Sequence, residues 1–173
     1  MAASANTDAI AHLTKGIELI ASLPETSERI AREIDFRLAL GAPLTAIRGW
    51  ASGDTEAAYT RARELCAGAG EAPELFRSLV GLWLYHLMEP DLEAASELSQ
   101  QLFNLAAKLG SDDFRLLAEL VALCTCFISG RYTSVPSHAA QVRALYDSER
   151  HRGPKIYMVD PAMGALTVES LAL

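Results

Sequence analysis

Two long stretches of this chain are apolar around almost their whole helical circumference, which restricts the folds open to it. These are residues 75–88 (LFRSLVGLWLYHLM) and 114–128 (FRLLAELVALCTCFI). A helix apolar on more than one side has to contact several neighbouring helices. Residues 95–109 between them carry only one apolar stripe, at steps of three and four: Ala95, Leu98, Leu102, Leu105 and Leu109. The pattern predicts widely buried helices that alternate with one-faced helices.

The residue types agree with an all-α fold. The 173 residues include 29 Ala and 25 Leu, against only 6 Val and 8 Ile. Ala and Leu favour helices, whereas β-branched residues favour strands. No apolar run reaches the ~18–20 residues that cross a bilayer, and the N-terminus lacks the pattern of a signal peptide. We therefore expect an all-α protein located in the cytoplasm.

The charge and the motifs exclude several function classes. With 22 acidic and 15 basic residues the net charge is −7, which argues against a general nucleic-acid binder. The glycines of the segment 66–70 (CAGAG) end a helical pattern and lack the Lys-Ser/Thr of a phosphate-binding loop. No metalloprotease or nucleophile-elbow motif occurs either. We expect no catalysis, no cofactor and no metal.

Internal spacing indicates a helical repeat with a period of about 40 residues. Gly41 and Gly81 lie 40 positions apart, and so do Gly70 and Gly110. Antiparallel helix pairs repeated in this way form an α-solenoid, here of about seven to eight helices. One helical-repeat domain is expected over 1–173, comprising an unpaired helix at 8–22, repeats at 24–70, 73–110 and 111–147, and a C-terminal helical segment at 156–173.

Capping residues, prolines and glycines set the expected helix limits. The helices should span about 8–22, 25–48, 54–69, 73–88, 91–109, 112–129 and 134–146, followed by a last helical stretch at 160–173. Pro43 falls inside the second helix, which predicts a kink there or a break near Gly41. The residues expected to be largely buried are Leu79, Leu82, Trp83, Leu98, Leu102, Leu117, Val121 and Leu145.

Three segments resemble a known group of proteins. They are 19–44 (LIASLPETSERIAREIDFRLALGAPL), 54–66 (DTEAAYTRARELC) and 145–152 (LYDSERHR). They are similar to the tetratricopeptide-like repeat region of large bacterial signalling proteins that carry an AAA-type ATPase module, often with a class III adenylate or guanylate cyclase domain. The resemblance covers roughly residues 8–165 and involves no catalytic motif.

The resemblance implies a protein-interaction scaffold or regulatory module coupled to an ATPase or cyclase. Its partner would be a protein, a peptide or a neighbouring domain of the same parent protein. Both ends look cut, so we expect either a fragment of a larger chain or a short protein that forms a homodimer through its end helices. The apolar residues of those ends are Ile10, Leu13, Ile17 and Ile20, and Met163, Leu166, Leu171 and Leu173.

The first helix of each repeat lines the concave face in tetratricopeptide folds, so residues of the helix at 73–88 are candidates for binding. The candidates are Ser78, Trp83, Tyr85 and His86. Packing is the alternative role for these side chains. The same aromatic cluster also supports a second function, a small-molecule effector-sensing domain with a pocket on the concave face.

The only basic concentration follows the seventh helix and is a candidate docking patch for an acidic partner. It consists of Arg143, Arg150, His151, Arg152 and Lys155. Alternatively, these cations complement the dipole at the end of that helix.

The three cysteines are an odd number, which does not suggest a disulfide framework. Cys124 and Cys126 lie in an apolar run with their thiols about 200° apart on the helix, so they cannot close a tetrahedral metal site locally. We expect these cysteines to be structural core residues, as is usual for a small apolar side chain in such a run.

Overall fold

A computed structural model describes residues 2–70, 72–151 and 160–172. Over these residues the secondary structure is helical and contains no strand. The elements are α1 (Ala2–Ala21), α2 (Ser27–Arg48), α3 (Gly53–Ala69), α4 (Ala72–Met88), α5 (Leu92–Leu109), α6 (Asp112–Ile128), a 3-10 turn (Tyr132–Ser134), α7 (Val135–Leu145), α8 (Ser148–His151) and α9 (Pro161–Ala172). The predicted all-α class is confirmed.

The chain divides into two compact units, Met1–Asp91 and Leu92–Leu173. In the first unit α1 packs against α2, α2 against α3 and α3 against α4, and α2 also contacts α4. In the second unit α6 packs between α5 and α7, and α9 contacts both α6 and α7. Packing of consecutive helices is the arrangement of an α-solenoid. The boundary between the units falls inside the predicted second repeat (73–110), so its two helices belong to different units.

The helix limits follow the predicted ones closely, with three differences. First, α1 begins at Ala2 and not near residue 8, because the Ala-rich start favours helix. Second, α3 begins at Gly53, one residue early, because the Ser52 hydroxyl caps it by accepting the Thr55 N–H. Third, α2 runs without a break through Pro43.

Glycine ends two of the helices in the way their spacing predicts. Gly70 closes α3 and Gly110 follows α5, with φ of 73° and 69°. This left-handed conformation carries almost no cost for a residue without a Cβ. The backbone N–H of each glycine donates to a carbonyl in the last helical turn, Cys66 and Ala106 respectively.

The core of the first unit lies between its consecutive helices. One buried cluster joins α2 and α3 through Ile34, Leu38, Ala62 and Cys66. A second consists of Leu40, Leu44 and Ala58, and three apolar residues of α1 pack against it: Ile10, Leu13 and Ile17. The apolar residues of α1 that were candidates for a homodimer contact therefore pack largely within the unit.

Seven of the eight predicted core residues are buried. They are at most 6% exposed: Leu79, Leu82, Trp83, Leu98, Leu102, Leu117 and Val121. Leu145, the last residue of α7, is only partly buried.

The end of the second unit is held by two capping carboxylates. Asp147 accepts the Glu149 N–H at 2.8 Å at the start of α8, which is a single helical turn. Backbone hydrogen bonds, chiefly from Glu149, hold the pKa of Asp147 below its usual value. Asp160 caps α9 and accepts the Tyr146 hydroxyl at 2.6 Å, which ties α9 to the end of α7.

One of the two glycine pairs with the 40-residue spacing packs against a single aromatic ring. Gly41 of α2 and Gly81 of α4 both face the Tyr59 side chain of α3. A Cβ atom added to either glycine would overlap the Tyr59 ring. The missing side chains thus make room for an aromatic residue between two helices that also touch each other.

Gly81→Ala is expected to lower the free energy of unfolding by about 1–3 kcal/mol, because the added methyl group overpacks the Tyr59 ring. The matched control is Gly68→Ala in α3, where an added Cβ meets no atom within 4 Å and helix propensity favours alanine. Urea unfolding of both variants is the measurement. Equal or higher stability of Gly81→Ala would show that the ring moves aside without cost.

Candidate functional site

The four candidate residues on α4 do not form one accessible surface. Ser78 is completely buried and its hydroxyl donates to the Leu75 carbonyl at 2.8 Å. Trp83 is 6% exposed. Tyr85 and His86 are partly buried and contact each other edge to face, with ring centroids 5.1 Å apart. Only these last two side chains are accessible to a ligand.

The predicted basic patch is engaged within the second unit. Arg143 of α7 pairs with Glu169 of α9, and Arg150 pairs with Asp113 of α6 at 2.9 Å. Both of these arginines therefore have carboxylate partners inside the unit. Arg152 and Lys155 lie outside the described residues.

His151, the remaining described member of that patch, is buried and uses both ring nitrogens. Its Nδ1 accepts the Asp147 N–H at 2.8 Å, so the proton is on Nε2, which donates to Asp113 at 3.0 Å. His151 therefore links α8 to the start of α6 by a hydrogen bond. We therefore correct its assignment from a docking residue to an internal one, since a buried and fully bonded imidazole cannot meet a partner.

The second unit contains a shallow groove. It lies between α5 and α6 and has a volume of about 240 Å³. Its lining residues are Phe103, Ala106, Ala107, Arg115, Ala118 and Glu119. Ala106 and Ala118 are buried and form its floor, whereas Ala107 is exposed on its rim. These small side chains leave open space between the two helices.

The helix hairpin explains how these residues meet. The short Gly110–Ser111 link makes α5 and α6 antiparallel neighbours, so Phe103 lies level with Glu119. His138 of α7 joins this end of the groove, with its ring centroid 6.5 Å from that of Phe103 in an edge-to-face arrangement. Arg115, one helical turn before Glu119, marks the other end.

The polar pairs at the two ends of the groove differ in distance and in exposure to solvent. At one end the His138 Nδ1–H donates to Glu119 at 2.7 Å, and the side chains are only 24% and 12% exposed. At the other end Arg115 pairs with Asp112 at 3.2 Å, and more than half of each side chain is exposed. A solvated pair of that kind adds little free energy and separates easily. The Glu119–His138 pair is the better organised of the two.

None of the groove residues was among the sequence-based candidates. One signal was available, because Glu119 is a carboxylate in the middle of a stretch that is apolar nearly all round. Ala106 and Ala107 also interrupt a leucine stripe with two small residues. The contact with His138, 19 positions further along the chain, required the fold.

A buried carboxylate surrounded by arginines forms a second polar cluster, in the first unit. Glu33 of α2 accepts the Arg37 Nε–H at 2.9 Å and an Arg29 N–H at 3.3 Å, and Arg61 of α3 lies 3.6 Å away. Burial raises the pKa of Glu33, but the hydrogen bond and charge of Arg37, together with the other two arginines, outweigh it and hold the pKa below its usual value. The cluster ties α2 to α3.

The cysteines occupy packed positions. No disulfide joins them, and Cys66 and Cys126 are buried. Burial raises the pKa of Cys124 to about 11, so its thiol stays protonated at neutral pH. Within residues 2–70, 72–151 and 160–172, no three His, Cys, Asp or Glu side chains are grouped as a metal site requires.

In the described part of the chain, no helix is both long and apolar enough to pass through a bilayer.

Comparison with known proteins gives no relative: no protein-family model, no curated protein and no solved structure matches this chain.

Proposed function

We propose that this chain is a protein-interaction scaffold or regulatory module that holds one side chain of a peptide partner in the α5–α6 groove. The observation that carries the proposal is the groove itself, with an alanine floor, an aromatic wall and polar groups at both ends. Solenoids of paired helices bind extended or helical segments on such surfaces. The module has no catalysis of its own in this proposal.

The partner context comes from the resemblance to the helical-repeat regions of bacterial ATPase and cyclase signalling proteins. The partner is then a separate protein or peptide, or a neighbouring domain of the same parent protein, in the cytoplasm. Association of two copies through an end helix stays a prediction. The exposed apolar residues that support it are Leu19 of α1 and Met163, Leu166 and Leu171 of α9.

The alternative function is a small-molecule effector-sensing domain. Pockets for drug-sized ligands measure roughly 300–1,000 Å³. The groove of about 240 Å³ is below that range and suits a single side chain better. We therefore place the peptide-binding function first.

Peptide display against the full-length chain tests the proposal. Ala107 lies on the exposed rim, so Ala107→Trp should fill the groove without entering the core. We expect this change to weaken binding of the selected peptides at least about tenfold. The matched control, Ala140→Trp, changes an exposed alanine of α7 outside the groove lining and should leave binding unchanged. Peptides that bind Ala107→Trp as well as the parent chain would contradict the proposal.

A further inference from the structure

We infer that the groove selects a basic side chain, a lysine of the partner peptide whose ammonium group binds the Glu119 carboxylate. The inference rests on the proposed function, because it names the chemistry of the peptide held there. It depends on three features of the groove: an acceptor that is only partly used, an apolar path leading to it, and the sign of the charge around it.

The acceptor is the Glu119 carboxylate at the inner end of the groove. Only its Oε2 atom forms a hydrogen bond among the described residues, to His138 at 2.7 Å. A carboxylate has about four acceptor positions, so the second oxygen can accept an ammonium N–H while His138 remains bound. The contact with His138 orients the carboxylate before a ligand arrives, which lowers the entropy lost on binding.

The path to this carboxylate suits the aliphatic part of a lysine. The floor of Ala106 and Ala118 and the rim at Ala107 carry no polar side-chain atoms, and Phe103 forms a wall. Lysine buries its methylene stem along apolar surface while its charged end stays with polar groups. The Phe103 ring, 37% exposed, adds a favourable contact with a cation.

The charge around the groove favours a cation over an anion. Asp112, 3.2 Å from Arg115, offsets that cation, so the acceptor that the groove offers to a ligand is the Glu119 carboxylate. The whole chain carries a net charge of −7, and the arginines of the predicted basic patch that the structure describes are paired with Glu169 and Asp113. A basic peptide is therefore attracted over longer distances, and its binding should weaken as salt is added.

Three pentapeptides titrated into the isotope-labelled full-length chain test the inference by NMR. The probes are acetyl-Ala-Ala-Lys-Ala-Ala-amide and its versions with norleucine or glutamate in place of lysine. Norleucine keeps the aliphatic stem and removes the ammonium group. We expect the lysine peptide to shift the signals of Phe103, Ala107 and Glu119 and to bind at least about fivefold more tightly than the norleucine peptide, with the glutamate peptide weakest.

Glu119→Gln is the decisive variant. It removes the charge but keeps an oxygen that accepts the His138 N–H, so the fold should be retained. The fivefold preference for lysine should then disappear, while the affinity for the norleucine peptide should stay the same. The control variant Glu97→Gln removes one negative charge from an exposed position of α5 outside the groove lining and should leave the preference unchanged.

The outcomes separate the two proposals. Equal or tighter binding of the norleucine peptide, with shifts confined to the groove, overturns the lysine inference and supports peptide binding. A lysine preference that survives in Glu119→Gln also overturns the inference, since another carboxylate would then be responsible. If none of the peptides shifts any groove signal, both the inference and the proposed function are contradicted.

Discussion

Leu102→Ala is expected to lower the free energy of unfolding by about 2–5 kcal/mol, as large-to-small changes at buried positions do. Leu102 lies in the middle of α5 and its exposed fraction is 0%. The change removes buried apolar atoms and leaves a cavity that the surrounding helices fill only in part. Alanine is a better helix former than leucine, so helix propensity works slightly against this loss and cannot cause it.

The matched control is Leu23→Ala between α1 and α2, where the side chain is 55% exposed. The same atoms are removed there from a solvated position, and the expected change lies within about 0.5 kcal/mol. Urea unfolding of both variants gives the two free energies. A loss below about 1 kcal/mol for Leu102→Ala would mean that the apolar stripe of α5 is not on the buried face of the helix.

The α5 stripe shows how far periodicity predicts burial. Leu98 and Leu102 were expected in the core and are buried. Beyond them the buried position is Ala106 rather than Leu105, because a helix with 3.6 residues per turn allows steps of three or four from the same residue. Hydrophobic pattern alone does not distinguish these two registers. The register that buries Ala106 places alanines against α6, and the groove lies at these small side chains.

The 40-residue spacing was informative for a reason that the sequence did not reveal. Gly41 and Gly81 are equivalent because both accommodate the Tyr59 ring, which lies between them in the folded unit. The same spacing did not predict the division of the chain, which falls at residues 91 and 92, inside one of the expected repeats. Helix starts and ends depend on nearby residues, whereas the grouping of helices depends on contacts between distant ones.

Candidate binding residues were the least predictable feature. The sequence predicts a docking patch from a cluster of cations, but Arg143, Arg150 and His151 pair with carboxylates on other helices. Charge runs show where cations occur along the chain and not which groups the fold brings to them. The groove residues illustrate the converse, because Phe103, Glu119 and His138 come from three helices and share no local motif.

The arginine cluster around Glu33 gives the second large expected effect. Glu33→Gln should lower the free energy of unfolding at pH 7 by about 2–3 kcal/mol, less than for a fully buried ion pair because Arg61 is 45% exposed. The glutamine keeps the size of the side chain but leaves three guanidinium groups without their shared carboxylate. Arg29 depends on it most, since its Nε is buried without a hydrogen-bond partner among the described residues.

The control for this change is Glu28→Gln in the same helix. Glu28 pairs with Arg32 at 3.0 Å, but both side chains are more than 60% exposed. Solvated pairs of this kind contribute little, so the expected change lies within about 0.5 kcal/mol. The contrast between the two glutamates separates a specific effect of the cluster from a general effect of removing one negative charge.

The pH dependence follows from the direction of the Glu33 pKa, which lies below the usual value in the folded chain. A carboxyl with a lowered folded pKa contributes its full stabilisation above the unfolded pKa of about 4.3 and loses it as the pH falls through the folded value. The parent chain should therefore lose more stability than Glu33→Gln on acidification from about pH 5, so the gap between them narrows. Urea unfolding at a series of pH values measures this gap. A gap that stays constant to about pH 3 would show that the carboxylate is not held ionised by its arginines, and that the loss in the variant comes from packing alone.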